Sequence, residues 1–414
     1  MREMKESGIE WIGKIPKNKK IIRNKYMFKY EKGKLPSNTN TEKIGVPYIG
    51  ASDLDSNTDE YAIYTEDETL PDAKKDDLLV LWDGARAGLA GTKKCGKISS
   101  TIVKISADDT VYTSFLYWYY KGFEKYMSDS VTGTTIPHMN RKYIEDIQFI
   151  DWGIDEQKKM TEYLDDKCSK IDFIIEKQQE IIEKLKEYKL SVITEAVTKG
   201  LNPNVEMKDS GCKWIGHIPK HWEMIYPKKL FSQRKDKAYE EDEQLTSSQK
   251  YGIISQKDFM ELEGRQVMQV IKGEGILKHV EQGDFVISMR SFQGGLEYSE
   301  ISGKISSAYV MVVPNNGLVY DRYYKWLFKS SHYITALQGT TNLIRDGQAL
   351  RFSNFIQVYL PVFGKDEQKK IADYLDEICP TIETEIEKRE KLLDKINEYK
   401  KSLIYEVVTG KKEV

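Results

Sequence analysis

Four cysteines in 414 residues (Cys95, Cys168, Cys212 and Cys379) stand far apart with no Cys-x-x-Cys pair, and the five histidines form no His-x-x-x-His or His-Glu-x-x-His pattern. No zinc site is therefore expected, and the thiols are expected to be reduced. No run approaches the roughly eighteen apolar residues of a membrane span, and MREMKESGIEWIG has none of the apolar stretch of a signal peptide. A cytoplasmic protein with no membrane partner is expected. Excess charge is missing too: 63 Lys and Arg against 65 Asp and Glu leave a net charge of −2. A dedicated nucleic-acid binder usually shows a basic excess, but the excess can be local. Residues 17–34 carry Lys17, Lys19, Lys20, Arg23, Lys25, Lys29, Lys32 and Lys34 against the single acid Glu31.

Catalytic motifs are also missing. The segment 91–97 resembles a phosphate loop, but Ile98 stands where a Ser or Thr must reach magnesium. No Gly-x-Gly-x-x-Gly follows a strand, and no Asn/Asp-Pro-Pro-Phe/Tyr tetrapeptide exists to hold a flipped base, since Asn202-Pro203 is followed by Asn204. No Ser/His/Asp constellation stands out. The expectation is a chain without catalytic residues, metal or cofactor of its own.

What is present is a doubled text. MKESGIEWIGKIPK at 4–17 returns as MKDSGCKWIGHIPK at 207–220, an offset of 203 (207 − 4), and DEQKKMTEYLDDK at 155–167 returns as DEQKKIADYLDEI at 366–378, an offset of 211 (366 − 155). Two tandem copies of one unit present a pseudo-two-fold surface, which suits a two-fold or bipartite partner such as duplex DNA. All the net insertion, eight residues (211 − 203), falls between the two repeated texts. The repeated parts read as scaffold and the divergent parts as two domains of one fold with different targets.

Each copy opens on Ser-Gly-x-x-Trp-Ile-Gly-x-Ile-Pro, whose Trp and Ile among Gly and Pro read as an anchored extended segment. Short apolar runs follow, such as DLLVLW at 77–82 and DFVISM at 284–289, and predict strands in a mixed, mostly β domain. A long helix ends each copy, with Asp155 and Asp366 as expected N-caps and Gly200 and Gly410 as stops. Ile171, Ile174, Gln178, Ile181, Leu185, Tyr188 and Val192 alternate steps of three and four, a heptad seam, and Ile382, Ile386, Arg389, Leu393, Ile396, Tyr399 and Leu403 repeat it. At ~1.5 Å per residue, forty-odd residues make a rod of roughly 60 Å. Two such seams, each with a polar break at the same register, most simply pack on each other, antiparallel if a two-fold relates the copies. The alternatives are a helix packed on its own domain, or pairing between molecules. The fold class is thus α+β, with two pseudo-repeated, mixed, mostly β domains separated by a long antiparallel two-helix coiled coil. The boundaries read as 1–17 anchor, 18–152 first β domain, 153–200 first helix, 201–221 linker with repeated anchor, 222–363 second β domain and 364–414 second helix.

Two polar loops recur in the β domains. Residues 131–144 and 337–352 each place Gly-Thr-Thr before groups suited to base edges or phosphates: Thr134, Thr135, His138, Asn140, Arg141 and Lys142 in one, Thr340, Thr341, Asn342, Arg345, Gln348 and Arg351 in the other. Arg and Lys pair with guanine, Asn and Gln with adenine, and hydroxyls with phosphate. A second pair of turns follows predicted strands and carries Arg86 in one copy, Arg290 and Gln293 in the other. Any single one of these residues also fits a solvated surface loop.

The doubled Trp-Ile-Gly-x-Ile-Pro anchor and the doubled Asp-Glu-Gln-Lys-Lys run, ending in Glu-Tyr-Lys-x-Ser, resemble the specificity subunit of type I restriction–modification systems. That resemblance spans essentially the whole chain. It implies two target-recognition domains, each reading half of a split sequence in double-stranded DNA, and conserved helices that set the spacer and dock two methyltransferase subunits. S-adenosylmethionine would belong to those partners, and ATP and magnesium to an endonuclease/translocase subunit where the system has one. His221-Trp222-Glu223 follows the second Ile-Pro-Lys as the family favours, whereas the first copy has Asn18-Lys19-Lys20, which predicts a different anchoring of its domain. The competing reading is a non-catalytic coiled-coil scaffold that binds other proteins.

Overall fold

The two DEQKK segments open the longest elements of the chain, helices Ile154–Lys199 of 46 residues and Lys365–Val408 of 44 residues. The computed structural model describes residues 3–23, 27–55, 58, 60–107, 109–124, 126, 138–139, 148–264, 276–288, 291–340 and 350–414. Two compact units emerge, Met1–Gln179 with Glu390–Val414, and Glu180–Arg389. Each unit therefore holds one β domain, the first half of its own long helix and the second half of the other copy's helix.

In the first unit, strands Phe28–Lys32, Ile102–Ala107, Leu78–Leu81 and Ala90–Gly91 form an antiparallel sheet in that spatial order. The second unit repeats it with Phe231–Arg234, Val310–Pro314, Phe285–Ile287 and Glu297–Tyr298. The runs expected at 77–82 and 284–289 supply the sheet strands Leu78–Leu81 and Phe285–Ile287, and both strands are wholly buried. The anchors are short antiparallel hairpins, Met4–Glu6 with Lys14–Pro16 and Met207–Asp209 with His217–Pro219. Ile12 and Ile15 enter the first core, Ile215 and Ile218 the second.

A buried glutamine ties each helix to its own domain. Gln157 donates to the Trp152 carbonyl at 2.7 Å and the Thr110 carbonyl at 3.1 Å, and accepts the Tyr112 N–H at 2.7 Å. Its repeat, Gln368, does the same with Phe363 at 2.8 Å, Leu318 at 3.0 Å and Tyr320 at 2.7 Å. Both side chains are fully buried, so the amide atoms find their partners in the protein rather than in water. Two turns on, Trp118 donates to Asp165 and Trp326 to Asp376, each at 3.0 Å. These partners are the Glu-Gln and Tyr-Leu-Asp residues of the repeated text.

Asp155 and Asp366 lie inside the first turns rather than at the caps. In the first copy the Gly153 N–H, just ahead of the helix, donates to the Glu156 carboxylate at 3.2 Å, so the accepting oxygen comes from inside the helix. Acids in the first turn still favour the positive end of the helix dipole. Gly200 and Gly410 do end the helices, at φ +76° and +73°, a left-handed conformation that glycine adopts without penalty. The C-terminal ends pack on the other copy's domain. Ile193, Ala196 and Val197 join the second core, and Leu403, Ile404, Val407 and Val408 the first. The equivalent end carbonyls of Val197 and Val408 accept from Tyr323 Oη at 2.7 Å and Trp152 Nε1 at 3.1 Å.

The two anchors differ as their sequences predict. In the second unit Trp222 stacks on Phe363, ring centroids 3.7 Å apart and 4° from parallel, and donates to Glu367, which His221 also contacts at 2.8 Å. In the first unit Lys19 occupies the Trp222 position. Its ammonium sits 4.7 Å above the Trp152 ring and pairs with Glu156, the repeat of Glu367. Stacking in one copy is cation–π attraction in the other.

Removing the glutamine staple tests this joint. Gln157→Ala and Gln368→Ala should each destabilise their own unit by roughly 1–3 kcal/mol, because three backbone groups, one of them a carbonyl in a buried bond, lose the amide that pairs them. Denaturant unfolding followed by a probe in each unit reads the effect.

Candidate nucleic-acid interface and helix pair

In the first unit the expected contact residues are already engaged. Arg86 pairs with Asp55 at 2.5 Å and donates to the Ala51 carbonyl at 3.1 Å, about half exposed. His138 bridges backbone to backbone with Asp83 and places Nδ1 2.7 Å from its carboxylate, which Lys32 also contacts at 2.8 Å. Burial works to raise the Asp83 pKa, but the hydrogen bonds from Lys32 and His138 outweigh it and hold the carboxyl below its ordinary range. In the second unit Gln293 is exposed on the short helix Ser291–Gly294. Thr340 turns its hydroxyl back to the Leu337 carbonyl at 2.7 Å, and its own carbonyl accepts from Asn354 at 3.0 Å. Arg351 is exposed at the start of the short helix Phe352–Phe355. Thr134, Thr135, Asn140, Arg141, Lys142, Arg290, Thr341, Asn342, Arg345 and Gln348 lie outside the described residues.

Lys228, Gln233 and Lys235 escape sequence reasoning. Together with Arg351 they line a cleft of about 770 Å³ in the second unit. The three lie within eight residues of one another but more than a hundred from Arg351, so sequence alone does not join them to it. A cation after a strand, with no acid at the matching position of the neighbouring strand, is the signal that the sequence offers.

The second unit also holds two partly or wholly buried ionic groups, one on the four-stranded sheet and one on the separate pair of strands Lys278–Val280 and Gly303–Ile305. Arg234 makes a two-pronged contact with Asp284 at 2.7 and 3.2 Å. His279 lies between carboxylates, Nδ1 2.8 Å from Asp242 and Nε2 3.1 Å from Glu281. Burial of the ring works to lower its pKa, but Asp242 and Glu281 outweigh this and raise it above the ordinary 6.5.

The helix pair is antiparallel inside each unit, but its seam is not the one read from sequence. In the first helix the inward positions are Leu164, Cys168, Ile171, Ile175, Gln178, Ile182, Leu185, Lys189, Val192 and Ala196. Ile171, Leu185 and Val192 stand where expected. Ile174, Ile181 and Tyr188 instead point outward, 46%, 36% and 53% exposed. In the second helix Ile382, Ile386, Leu393, Ile396 and Leu403 face inward, and Tyr399, 56% exposed, yields its place to Lys400. The doublets Ile174-Ile175 and Ile181-Ile182 make both phases apolar, so apolarity alone cannot choose between them. The choice is made upstream by Leu164 and Cys168. At 188–189 and 399–400 the seam takes the lysine rather than the tyrosine, because an acid waits on the opposite helix. Lys400 grips both oxygens of Asp172 at 2.5 and 2.7 Å, and Lys189 pairs with Glu383. Lys189 and Lys400 are repeat mates, as are Asp172 and Glu383, each at offset 211 (400 − 189; 383 − 172). The two ion pairs are therefore reciprocal, as an isologous interface requires.

Among the described residues no group of His, Cys, Asp and Glu could hold a metal ion, and no helix is long and apolar enough to cross a membrane.

Residues 16–191 match the family described as the type I restriction modification DNA specificity domain. The specificity subunit of the type I restriction enzyme MjaVIII from Methanocaldococcus jannaschii is 26% identical over 96% of this chain and 94% of its own length. A solved structure described as the basis of complex assembly and conformational transition of the type I R-M system shares the fold, with TM-score 0.67 at 12% identity over 95% of this chain and 98% of that one. The HsdS subunit from Thermoanaerobacter tengcongensis aligns over 96% of this chain and 98% of its own at 12% identity, with TM-score 0.49.

The seam and the histidine each give a measurable outcome. Ile182→Asp places a charge at a position only 4% exposed and should cost at least about 3 kcal/mol. Ile181→Asp should cost under about 1 kcal/mol. Unfolding midpoints in the reverse order would restore the sequence-based phase. Because the folded pKa of His279 lies above its unfolded value, its stabilisation is complete below about pH 6.5 and fades as pH rises through the folded pKa. His279→Gln should flatten that dependence in stability measured from pH 6 upward.

Proposed function

We propose, for a chain that belongs to the family of type I restriction–modification specificity subunits, that each β-rich domain reads one half of a bipartite DNA target. The chain is the DNA-binding, non-catalytic member of such a system. In this proposal its helix pair sets the spacer between the half-sites and docks two methyltransferase subunits. Those partners bring S-adenosylmethionine, and an endonuclease/translocase subunit, where present, brings ATP and magnesium. The site of action is the cytoplasm. The domain boundaries proposed are those of the repeated text, with recognition domains at 18–152 and 222–363.

The observation that carries the reading is reciprocity. Lys189 with Glu383 and Lys400 with Asp172 make one chain imitate a two-fold dimer. Two equivalent helices then offer equivalent outer faces to two copies of one partner. Ile181 and Tyr188 on one helix and their repeat mates Leu392 and Tyr399 on the other are exposed apolar groups, seven residues apart in each pair (188 − 181; 399 − 392), beside the seam rather than in it. Such outward stripes suit a partner helix. Two modest half-site readers on one chain act as a bivalent ligand, so the second contact is intramolecular and the selectivity is the product of both.

The reading is tested by co-expressing the chain with its methyltransferase and mapping methylated adenines. A split target with a fixed spacer is expected. Exchanging residues 18–152 for those of a relative should change one half of it and leave the other half and the spacer unchanged. An assembled complex that neither methylates nor protects DNA would leave the protein-binding scaffold as the better account.

A further inference from the structure

The cleft of the second unit has an aromatic and aliphatic floor, including Phe231 and Phe352, and a cationic rim of Lys228, Lys235 and Arg351. No acidic side chain lines it among the described residues. All three cations are exposed and take part in no ion pair among the described residues. On a chain that pairs so many of its surface charges, three neighbouring cations without a carboxylate are a site left open for an anion. Long basic side chains of this kind can lay their stems along apolar surface while the charged heads stay in water. Arg351 is also pre-positioned. Its backbone N–H donates to Asn354 Oδ1 at 3.0 Å, and Asn354 Nδ2 donates to the Thr340 carbonyl at 3.0 Å, which fixes the backbone beneath the guanidinium.

The first domain shows the same corner closed. Lys32 is the repeat mate of Lys235 at offset 203 (235 − 32), and it is held by Asp83. At the position matching Asp83, offset 207 (290 − 83), the second copy has Arg290. One aligned position thus carries an acid in one domain and a base in the other, and the acid neutralises the lysine.

We infer that Lys228, Lys235 and Arg351 bind the phosphate backbone of duplex DNA along the second recognition domain, where Lys235 stands free and its first-domain mate Lys32 is neutralised by Asp83. The inference rests on the specificity reading and adds to it an asymmetry in how the two halves are held. Duplex DNA is favoured over an acidic protein because Arg351 closes the same Gly-Thr-Thr loop text, 337–352, whose residue types suit base edges and phosphates. Phosphate contacts fix register and supply affinity without carrying sequence information.

The test uses the assembled complex of full chain and methyltransferase subunits, with a short duplex bearing the mapped target. The triple variant Lys228→Gln, Lys235→Gln, Arg351→Gln should lower the slope of log affinity against log salt by about 0.9 for each phosphate no longer neutralised, hence by roughly 2–3 in all. The set of methylated sequences should stay the same. An unchanged slope overturns the inference while leaving the specificity reading intact. Failure of the triple variant to co-purify with the methyltransferase gives the cleft to a protein partner and overturns it as well. A wild-type complex with no affinity for the duplex would instead remove the specificity reading, and this inference with it. Lys32→Gln, which removes a cation already neutralised by Asp83, is the control and should change the slope by much less than any one of the three.

Discussion

The joint at Gln157 and Gln368 is the constraint on which the rest depends. A helix carries distance and direction only if its first turn is fixed to the domain it serves. One fully buried amide does this twice, taking two carbonyls and one N–H from two separate stretches of chain. The amide itself has no water as an alternative partner, so a slip of one residue would strand its buried polar atoms. The Glu-Gln of the repeated text is therefore a structural instruction. Its companion Asp165, or Asp376, extends the same joint by taking an indole N–H from the domain helix.

Around that fixed joint the two copies solve one packing problem with different chemistry. Trp222 on Phe363 and Lys19 on Trp152 both cover an aromatic face and both reach the carboxylate one turn into the helix, Glu367 or Glu156. The large indole has moved from the anchor strand in one copy to the helix entrance in the other. What the joint conserves is an aromatic face, a hydrogen-bond donor and an acid, not a particular residue at a particular position. The departure at Asn18-Lys19-Lys20 is thus a substitution of one attractive contact for another and leaves the glutamine untouched.

Much of the fold is legible because duplication makes the sequence its own alignment. The anchors, the strands at 77–82 and 284–289, both helices and their glycine stops all follow from patterns stated twice. The helix phase is illegible where side-chain type is ambiguous. Isoleucine doublets satisfy either register, and a lysine in the seam looks wrong until the acid on the other helix is known. That acid is far away in sequence for each lysine, Glu383 for Lys189 and Asp172 for Lys400. Pairing of this kind is visible only after the antiparallel register is assumed. The caps mislead for a related reason: the first aspartate of Asp-Glu-Gln looks like a cap, yet the glutamate reaches back to the N–H of the glycine just ahead of the helix.

The candidate interface is less legible, and the reason is physical. Base and phosphate contacts need exposed side chains, and exposure removes the periodicity that identifies buried positions. Arg86 and His138 fit the expectation by residue type but spend their charge or ring nitrogen on Asp55 and Asp83. Lys228 and Lys235 fit no motif and are open. What separates the two groups is the presence of a carboxylate on the neighbouring strand, which depends on sheet register. The aligned pair Asp83 and Arg290 shows how little sequence is needed to change the character of a surface while the frame stays fixed. Neither the glutamine joint nor the reciprocal ion pairs has to move. A scaffold built this way separates the residues that decide where the two domains are fixed from the residues that decide what each domain attracts.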